Sequence, residues 1–508
     1  MRTFLRLTIF SLFILLMLGA FFSLKWKMGH DTPLFFYMAH AIDKWNLVPY
    51  ADFFDVNPPG THVFYYLFCK VFGYSDLGFR IGDLVCLALL LTLTYLLMSE
   101  FGIFTACISA ILFGLVYFRG TGFTLQRDYL TLLPITLAIV ALFRLNPSGL
   151  FCGYFIGLLL GLSSTIKPNI LIGTPSFFVY QLIESHRVGS IERVSFRGLA
   201  LFCLCYGLGL ATPWLVALVS LWYTSALDEF LGIVTNYWPL YRNISGEGNI
   251  LVGIARVLYL IKKTYTLGGL SLILVPAVLG VFVGLFRSNL DLMQRRKVWF
   301  LFSLMCVYAI YPALGGKFWP YHWSLFAYFS LILASLCALE QTGEHKRKAG
   351  RFTVAVMLVC LLPFCVSPTI IMGGIKGEGL PYITLNNVEE ITRFLRSRLT
   401  PEDTVQPLDW TGGTLHAMLR ADAKPGTSFL YDEQFYHHTK SDYVKFLRNR
   451  FIKELSQNKP RFVIEVLTSW PRHSGIASDA QFPELRSMLR THYTVVILAK
   501  DYLIYERK

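Results

Sequence analysis

Of the 508 residues only 15% are charged, and a few ionisable side chains border long apolar runs: Asp31, Asp52, Asp55, Arg127, Asp128, Lys167, Lys317 and His322. An ionisable group at membrane depth costs about 3 kcal/mol on insertion scales, so it is usually paired, interfacial or functional. Asp31 precedes an amphipathic stretch, Leu34 to Trp45, where a carboxylate either caps a helix or moves a proton. Asp52 and Asp55 precede the double proline Pro58-Pro59, and fixing that loop is their simpler role. Asp128, beside Arg127, reads as an interfacial ion pair or as a second acidic group of a site. Lys317 and His322 stand among Phe318, Trp319, Tyr321 and Trp323. That pattern fits an aromatic belt with a snorkelling lysine or an anion clamp, and Lys167 is a weaker case of the same. Arg80 and Asp83, one helical turn apart, read as an ion pair. His30 and His62 have no ligand-like spacing to other metal-binding residues, and His437-His438 reads as solvated surface.

The elements that must position these groups are membrane helices. Hydrophobic residues make up 54% of the chain, which excludes a disordered chain and argues against a single soluble enzyme. Of the net charge of +14, only +3 lies beyond residue 375; the rest sits in short basic clusters between apolar runs. That pattern holds a membrane topology and does not track a nucleic-acid backbone. All ten cysteines precede Lys376 and none has CxxC spacing, so a zinc ribbon or disulfide scaffold is not expected; Cys203 and Cys205 read as small buried hydrophobes. About 20 apolar residues cross a bilayer, and this rule gives about eleven spans, near 7–24, 79–98, 102–119, 129–144, 150–166, 168–184, 199–221, 266–286, 298–313, 320–338 and 352–372. The pair flanking Lys167-Pro168 reads as two spans or as one broken helix. The first run is long for a cleaved leader and reads as a span.

Basic residues at 187–197, 287–297 and 346–351 fall on one side if the N-terminus is cytoplasmic. Three stretches then lie outside: 25–78, with interfacial helices Leu34–Trp45 and Thr61–Phe72; 222–263; and the tail from Lys376. The tail alternates β-like runs (404–408, 461–467, 493–499, 502–505) with helical ones (388–399, 442–457, 483–490). The expectation is a polytopic α-helical membrane domain at 1–375 and a small soluble extracytoplasmic α/β domain at 376–508.

Asp31, the stretch Pro49-Tyr50-Ala51-Asp52-Phe53-Phe54-Asp55, Pro58-Pro59-Gly60, and Phe72-Gly73-Tyr74-Ser75-Asp76 with Arg80 form an ordered set on one side of the membrane. This set resembles the polyprenyl-phosphate-sugar-dependent glycosyltransferases of the GT-C superfamily. The branch is that of protein mannosyltransferases, lipid A aminoarabinose transferase and RgtA/B/C/D-like bacterial enzymes. Weaker echoes are Gln126-Arg127-Asp128, Thr165-Ile166-Lys167-Pro168 and residues 316–323. The resemblance implies a GT-C-like fold in a bacterial inner membrane. It also implies transfer of a sugar from a polyprenyl-phosphate carrier to a glycan, lipid or protein acceptor outside, with inversion. Asp31 matches the family's acidic residue at the active centre and would be the base, with Asp128 as the second catalytic carboxylate. Lys317, His322, Arg127 and Lys167 would hold lipid phosphate or donor.

The family's Glu-Lys before the double proline is Val56-Asn57 here, its basic residue is Leu34, and its second acid is Thr32. Its phosphate contacts therefore do not transfer, and a metal-independent mechanism is the default, with a divalent metal left open. A transporter or lipid-linked saccharide flippase is the alternative from a different class; it calls for ionisable groups at the midplane and half-to-half symmetry, and neither is visible. An O-antigen-ligase-like enzyme is disfavoured by the carboxylate at Asp31.

Overall fold

The computed structural model describes residues 2–29, 31–145, 149–187, 196–287, 289–339, 344–365, 385–467 and 482–508. The chain forms two compact units that cut across its linear order. One comprises Met1–Trp26, Arg80–Ala217 and Leu258–Leu380; the other comprises Lys27–Phe79, Leu218–Val257 and Pro381–Lys508. The expected boundary at 375/376 lies outside the described residues, as does His30.

The first unit is helical. Each of the eleven apolar runs contains helix. Among the described residues, five helices are long and apolar enough to cross a membrane: Thr3–Ser23, Asp76–Phe101, Gly198–Tyr223, Leu292–Gly315 and Pro320–Ala338. A sixth arises if Gly253–Gly269 and Ser271–Phe286, bent by 75°, count as one span. Ile103–Tyr117 and Leu150–Ile166 are apolar but shorter. The run around 168–184 begins as a tight turn, Pro168–Gly173, before the Thr174–Arg187 helix. Pro168 disfavours helical backbone at the residue before it, so Lys167 is extended (φ −145°, ψ 97°) and the two runs are separate elements.

Two of these helices meet backbone to backbone. Gly153, Gly157 and Gly161 repeat every four residues along Leu150–Ile166 and so share one face. A Cβ on Gly157 would lie 2.3 Å from Tyr206 O, one on Gly161 2.5 Å from Leu210 O, and one on Gly209 2.2 Å from Tyr154 O. Only small residues permit that approach to Phe196–Tyr223, which is how helices gain van der Waals contact where lipid removes the hydrophobic drive between them. Elsewhere in the unit Arg80 and Asp83 are both buried and pair one turn apart. Ser23 Oγ accepts from Arg80 Nε and Nη2, and Tyr117 and the Leu125 amide donate to Asp83. Paired and hydrogen-bonded charges of this kind are what a membrane interior tolerates.

The second unit carries a five-stranded sheet of β1 (Thr404–Leu408), β2 (Lys424–Pro425), β3 (Phe462–Val466), β4 (Tyr493–Leu498) and β5 (Tyr502–Arg507), in the order β2-β1-β3-β5-β4. β1 runs parallel to β2 and β3; β5 is antiparallel to β3 and β4. The helices Leu385–Arg398, Asp442–Asn458 and Pro483–His492 fall where the sequence pattern places them. Thr414–Ala421 and the two-residue β2 are additional. In the same unit the helices Thr32–Trp45 and Pro59–Phe72 pack together through Phe35, Phe36, Tyr65 and Phe68.

Two sequence expectations are corrected. His437 is buried, because the turn carrying it folds inward beside Phe435 and Tyr436, and only His438 is partly open. Cys203 is exposed and Cys205 half-buried, on faces of the Phe196–Tyr223 helix not covered by a neighbour. Cys69, Cys86, Cys107, Cys152, Cys203, Cys205, Cys306, Cys337 and Cys360 are all free.

Candidate active site

Asp31 stands at the start of the Thr32–Trp45 helix, whose first turn holds Pro33, with φ −78° and ψ −12°. It does not cap: its carboxylate accepts no bond from the helix amides. Asp31 is only 8% exposed, and among the described residues no donor or cation engages its side chain. Asp52 and Asp55, by contrast, are engaged. Asp52 Oδ2 accepts from the Val48 amide at 2.7 Å, closing a turn in which Tyr50 takes φ +70°. Asp55, fully buried, accepts from Asn57 Nδ2 at 2.8 and 3.0 Å and from the Tyr431 hydroxyl at 3.1 Å, with His62 Nε2 3.1 Å away. The Tyr50 hydroxyl donates to Asn57 O at 2.6 Å. Pro58 is extended (φ −66°, ψ 156°) and Pro59 opens the Pro59–Phe72 helix, where its missing N–H costs nothing.

The other candidates converge in the first unit. The short helix Arg127–Leu130 presents Asp128, which is completely buried. Lys167, swung out of helical backbone by Pro168, brings Nζ to 3.4 Å from Asp128 Oδ2. The Tyr311 hydroxyl, from Leu292–Gly315, donates to Asp128 Oδ1. That helix stops at Gly316, whose φ of +66° a side chain would resist. The chain then turns through Pro320–Trp323, and His322 Nδ1 lies 2.6 Å from Lys317 O. A carbonyl only accepts, so Nδ1 carries a proton. Lys317 and His322 are each 7% exposed, so Lys317 does not snorkel. Burial pushes the Asp128 carboxyl up, but Lys167, then His322, Tyr311 and Arg127, outweigh it and hold it below the usual carboxylate range. Asp128 Oδ2 has no hydrogen-bond donor among the described residues, the Lys167 contact being long.

The structure thus brings Asp128, Arg127, Lys167 and His322 into one electrostatic group and puts Asp31, Asp52 and Asp55 in the other unit. Sequence reading missed Tyr311 and Tyr431, which bind two of the carboxylates. Both are single tyrosines in stretches rich in aromatic residues, and nothing in their spacing marks them. Among the described residues no group of three or more His, Cys, Asp or Glu is arranged to hold a metal ion. Chemically, a carboxylate with no internal partner suits proton transfer, and a buried carboxylate–lysine–tyrosine group suits the binding of a polar head.

Residues 56–216 match the family model described as dolichyl-phosphate-mannose-protein mannosyltransferase. That range holds Pro58, Pro59, Arg127, Asp128 and Lys167, and begins after Asp31, Asp52 and Asp55. Among solved structures, ArnT from Cupriavidus metallidurans bound to undecaprenyl phosphate is similar at TM-score 0.59 and 12% identity, with 99% of this chain and 98% of that one covered. Its apo structure aligns at TM-score 0.41 and 11% identity, with 97% of each chain covered. A comparison with curated proteins gives no match. About a third of the chain thus matches a mannosyltransferase family model, and the chain as a whole shares its fold with ArnT.

Proposed function

We propose that this protein transfers a sugar from a polyprenyl-phosphate carrier to an acceptor hydroxyl on the outer face of a bacterial cytoplasmic membrane, with inversion at the anomeric carbon. One observation carries the reading: within a GT-C fold, Asp31 is nearly buried yet neither caps its helix nor pairs with another described residue. A carboxylate kept in that state is available to a substrate. The acceptor oxygen attacks the anomeric carbon from the face opposite the carrier phosphate. As the new C–O bond forms, the bond to the phosphate oxygen breaks and Asp31 takes the hydroxyl proton. Carrier phosphate leaves with the bonding electrons.

Lys167 and Arg127, with Lys317 and the His322 ring, are the groups we assign to the phosphate, where fixed cations stabilise charge as it develops. Asp128 orients Lys167 and offers Oδ2 to a sugar hydroxyl. A metal-independent route is our default, because these cations suffice for a monophosphate leaving group. The ArnT structure bound to undecaprenyl phosphate supports a carrier of that class. We further place the N-terminus in the cytoplasm and residues 376–508 outside as a soluble domain.

The test is transfer by membranes containing full-length Asp31→Asn, in a strain lacking the native protein. Mass spectrometry of surface glycans and carrier lipids reads both product and donor. Loss of product, with carrier-linked sugar accumulating and insertion unchanged, is expected. Near-normal product from D31N rejects Asp31 as the base.

A further inference from the structure

Among the described residues no side-chain contact fixes Asp31, so its position is owed to its backbone. The backbone just before it is irregular: residues 25–29 form no helix or strand. Thr32 N donates back to Gly29 O at 3.2 Å, which ties Asp31 to the segment preceding it. That segment is held in turn by a side chain: the Met28 amide donates to Asp76 Oδ1 at 3.0 Å. The same Asp76 oxygen faces His416 Nε2 at 3.2 Å. His416 belongs to the Thr414–Ala421 helix beside the sheet and is 1% exposed. The end of that helix also holds the helix following Asp31. Tyr37 donates to Ala423 O at 2.7 Å, and His40 and Lys44 both clasp Asp422. Asp31 is therefore bracketed by two attachments to one short helix of the soluble fold, one before it through Asp76 and one after it through Asp422 and Ala423.

We propose that His416 is a positioning residue for Asp31, acting through Asp76 and Met28, so that the C-terminal α/β fold sets the geometry of the catalytic loop. This rests on the reading of Asp31 as the base. A histidine beside Asp76 orients a carboxylate that would otherwise swing to water and release the Met28 amide. A displacement of about 1 Å at a reacting group costs on the order of 100-fold in rate, so a weak anchor has a large kinetic effect and a small one on binding.

The test uses the full-length protein in membranes, with carrier-lipid extract of the host membranes as donor, and compares His416→Leu, His416→Gln, Asp76→Asn and D31N. Gln reaches Asp76 with an amide N–H where the imidazole Nε2 stood; Leu fills the space without a donor. Expected for H416L is a fall in kcat of ~10- to 100-fold with KM for donor lipid nearly unchanged. Its amides at 27–31 should exchange faster while β3 keeps its protection, and H416Q should recover most of the rate. Should H416L fail to insert, D76N decides, since it keeps the shape and loses the charge facing His416; the same pattern is expected. Unchanged kcat and exchange in both H416L and D76N overturn the proposal, as does an H416Q as impaired as H416L. If D31N stays active, the base assignment fails by itself, while the exchange measurement still reports whether His416 holds residues 27–31.

Discussion

Asp128 shows what a single buried charge demands of its neighbours. Removing one partner of a buried ion pair is costly because the other charge is left in low dielectric. Lys167→Met should therefore destabilise the protein by about 3 kcal/mol, read as a lower thermal midpoint in detergent. Adding Asp128→Asn to it should restore much of that loss. If the two losses simply add, the 3.4 Å contact contributes no coupling. The outcome for D31N should be the opposite: that carboxylate makes no bond to a described residue, so its amide should leave the midpoint within about 0.5 kcal/mol, as at sites free of such contacts, while transfer is lost. A stability loss without a loss of transfer would reverse the assignment.

At the scale of elements, the Gly153–Gly157–Gly161 face decides how two helices of the first unit cross. Gly157→Leu puts a side chain where Tyr206 O and the backbone at 209–210 already stand. It should cost about 1–3 kcal/mol, as over-packing does. Gly207→Leu on the partner helix is the control, since nothing lies within 4 Å of a Cβ there; a leucine should be neutral or mildly favourable for the helix. Equal thermal midpoints for the two variants would show that the close approach does not hold in the protein. The Lys167-Pro168 break is the counterpart in the chain itself: one proline both ends a helix and delivers a cation to Asp128.

For the molecule as a whole, charge fixes orientation and acid stability. Reporter fusions after Arg351 and after Lys376 should report opposite faces of the membrane; agreement between them would overturn the topology proposed above. In the second unit, Glu389 accepts from Arg420 and from Lys27, and chiefly through the Arg420 bond its carboxyl is drawn from 4.5 down to about 2. A depressed carboxyl stabilises the folded state above its unfolded value and loses that contribution as pH falls through its folded one. The loss should run from about pH 4.5 to about pH 2. Because Glu389 is 45% exposed and screened by solvent, its size should not exceed about 1 kcal/mol. Glu389→Gln should flatten that part of an acid-unfolding curve; an unchanged curve would show that the pair contributes nothing.

Composition and apolar run length were enough to read a multi-pass helical chain with a mixed α/β tail, because 20-residue apolar stretches and period-two alternation are local signals. The carboxylates and the lysine at Lys167 were legible too, since charges beside apolar runs are conspicuous and proline has a fixed local effect. The sequence did not disclose that Tyr311 binds Asp128, that Tyr431 and His62 flank Asp55, or that His437 turns inward. Nor did it show that residues 27–79 fold with 381–508 in one compact unit. Each of these joins side chains far apart in sequence, and their pairing is fixed by how helices and sheet pack, which no local periodicity encodes.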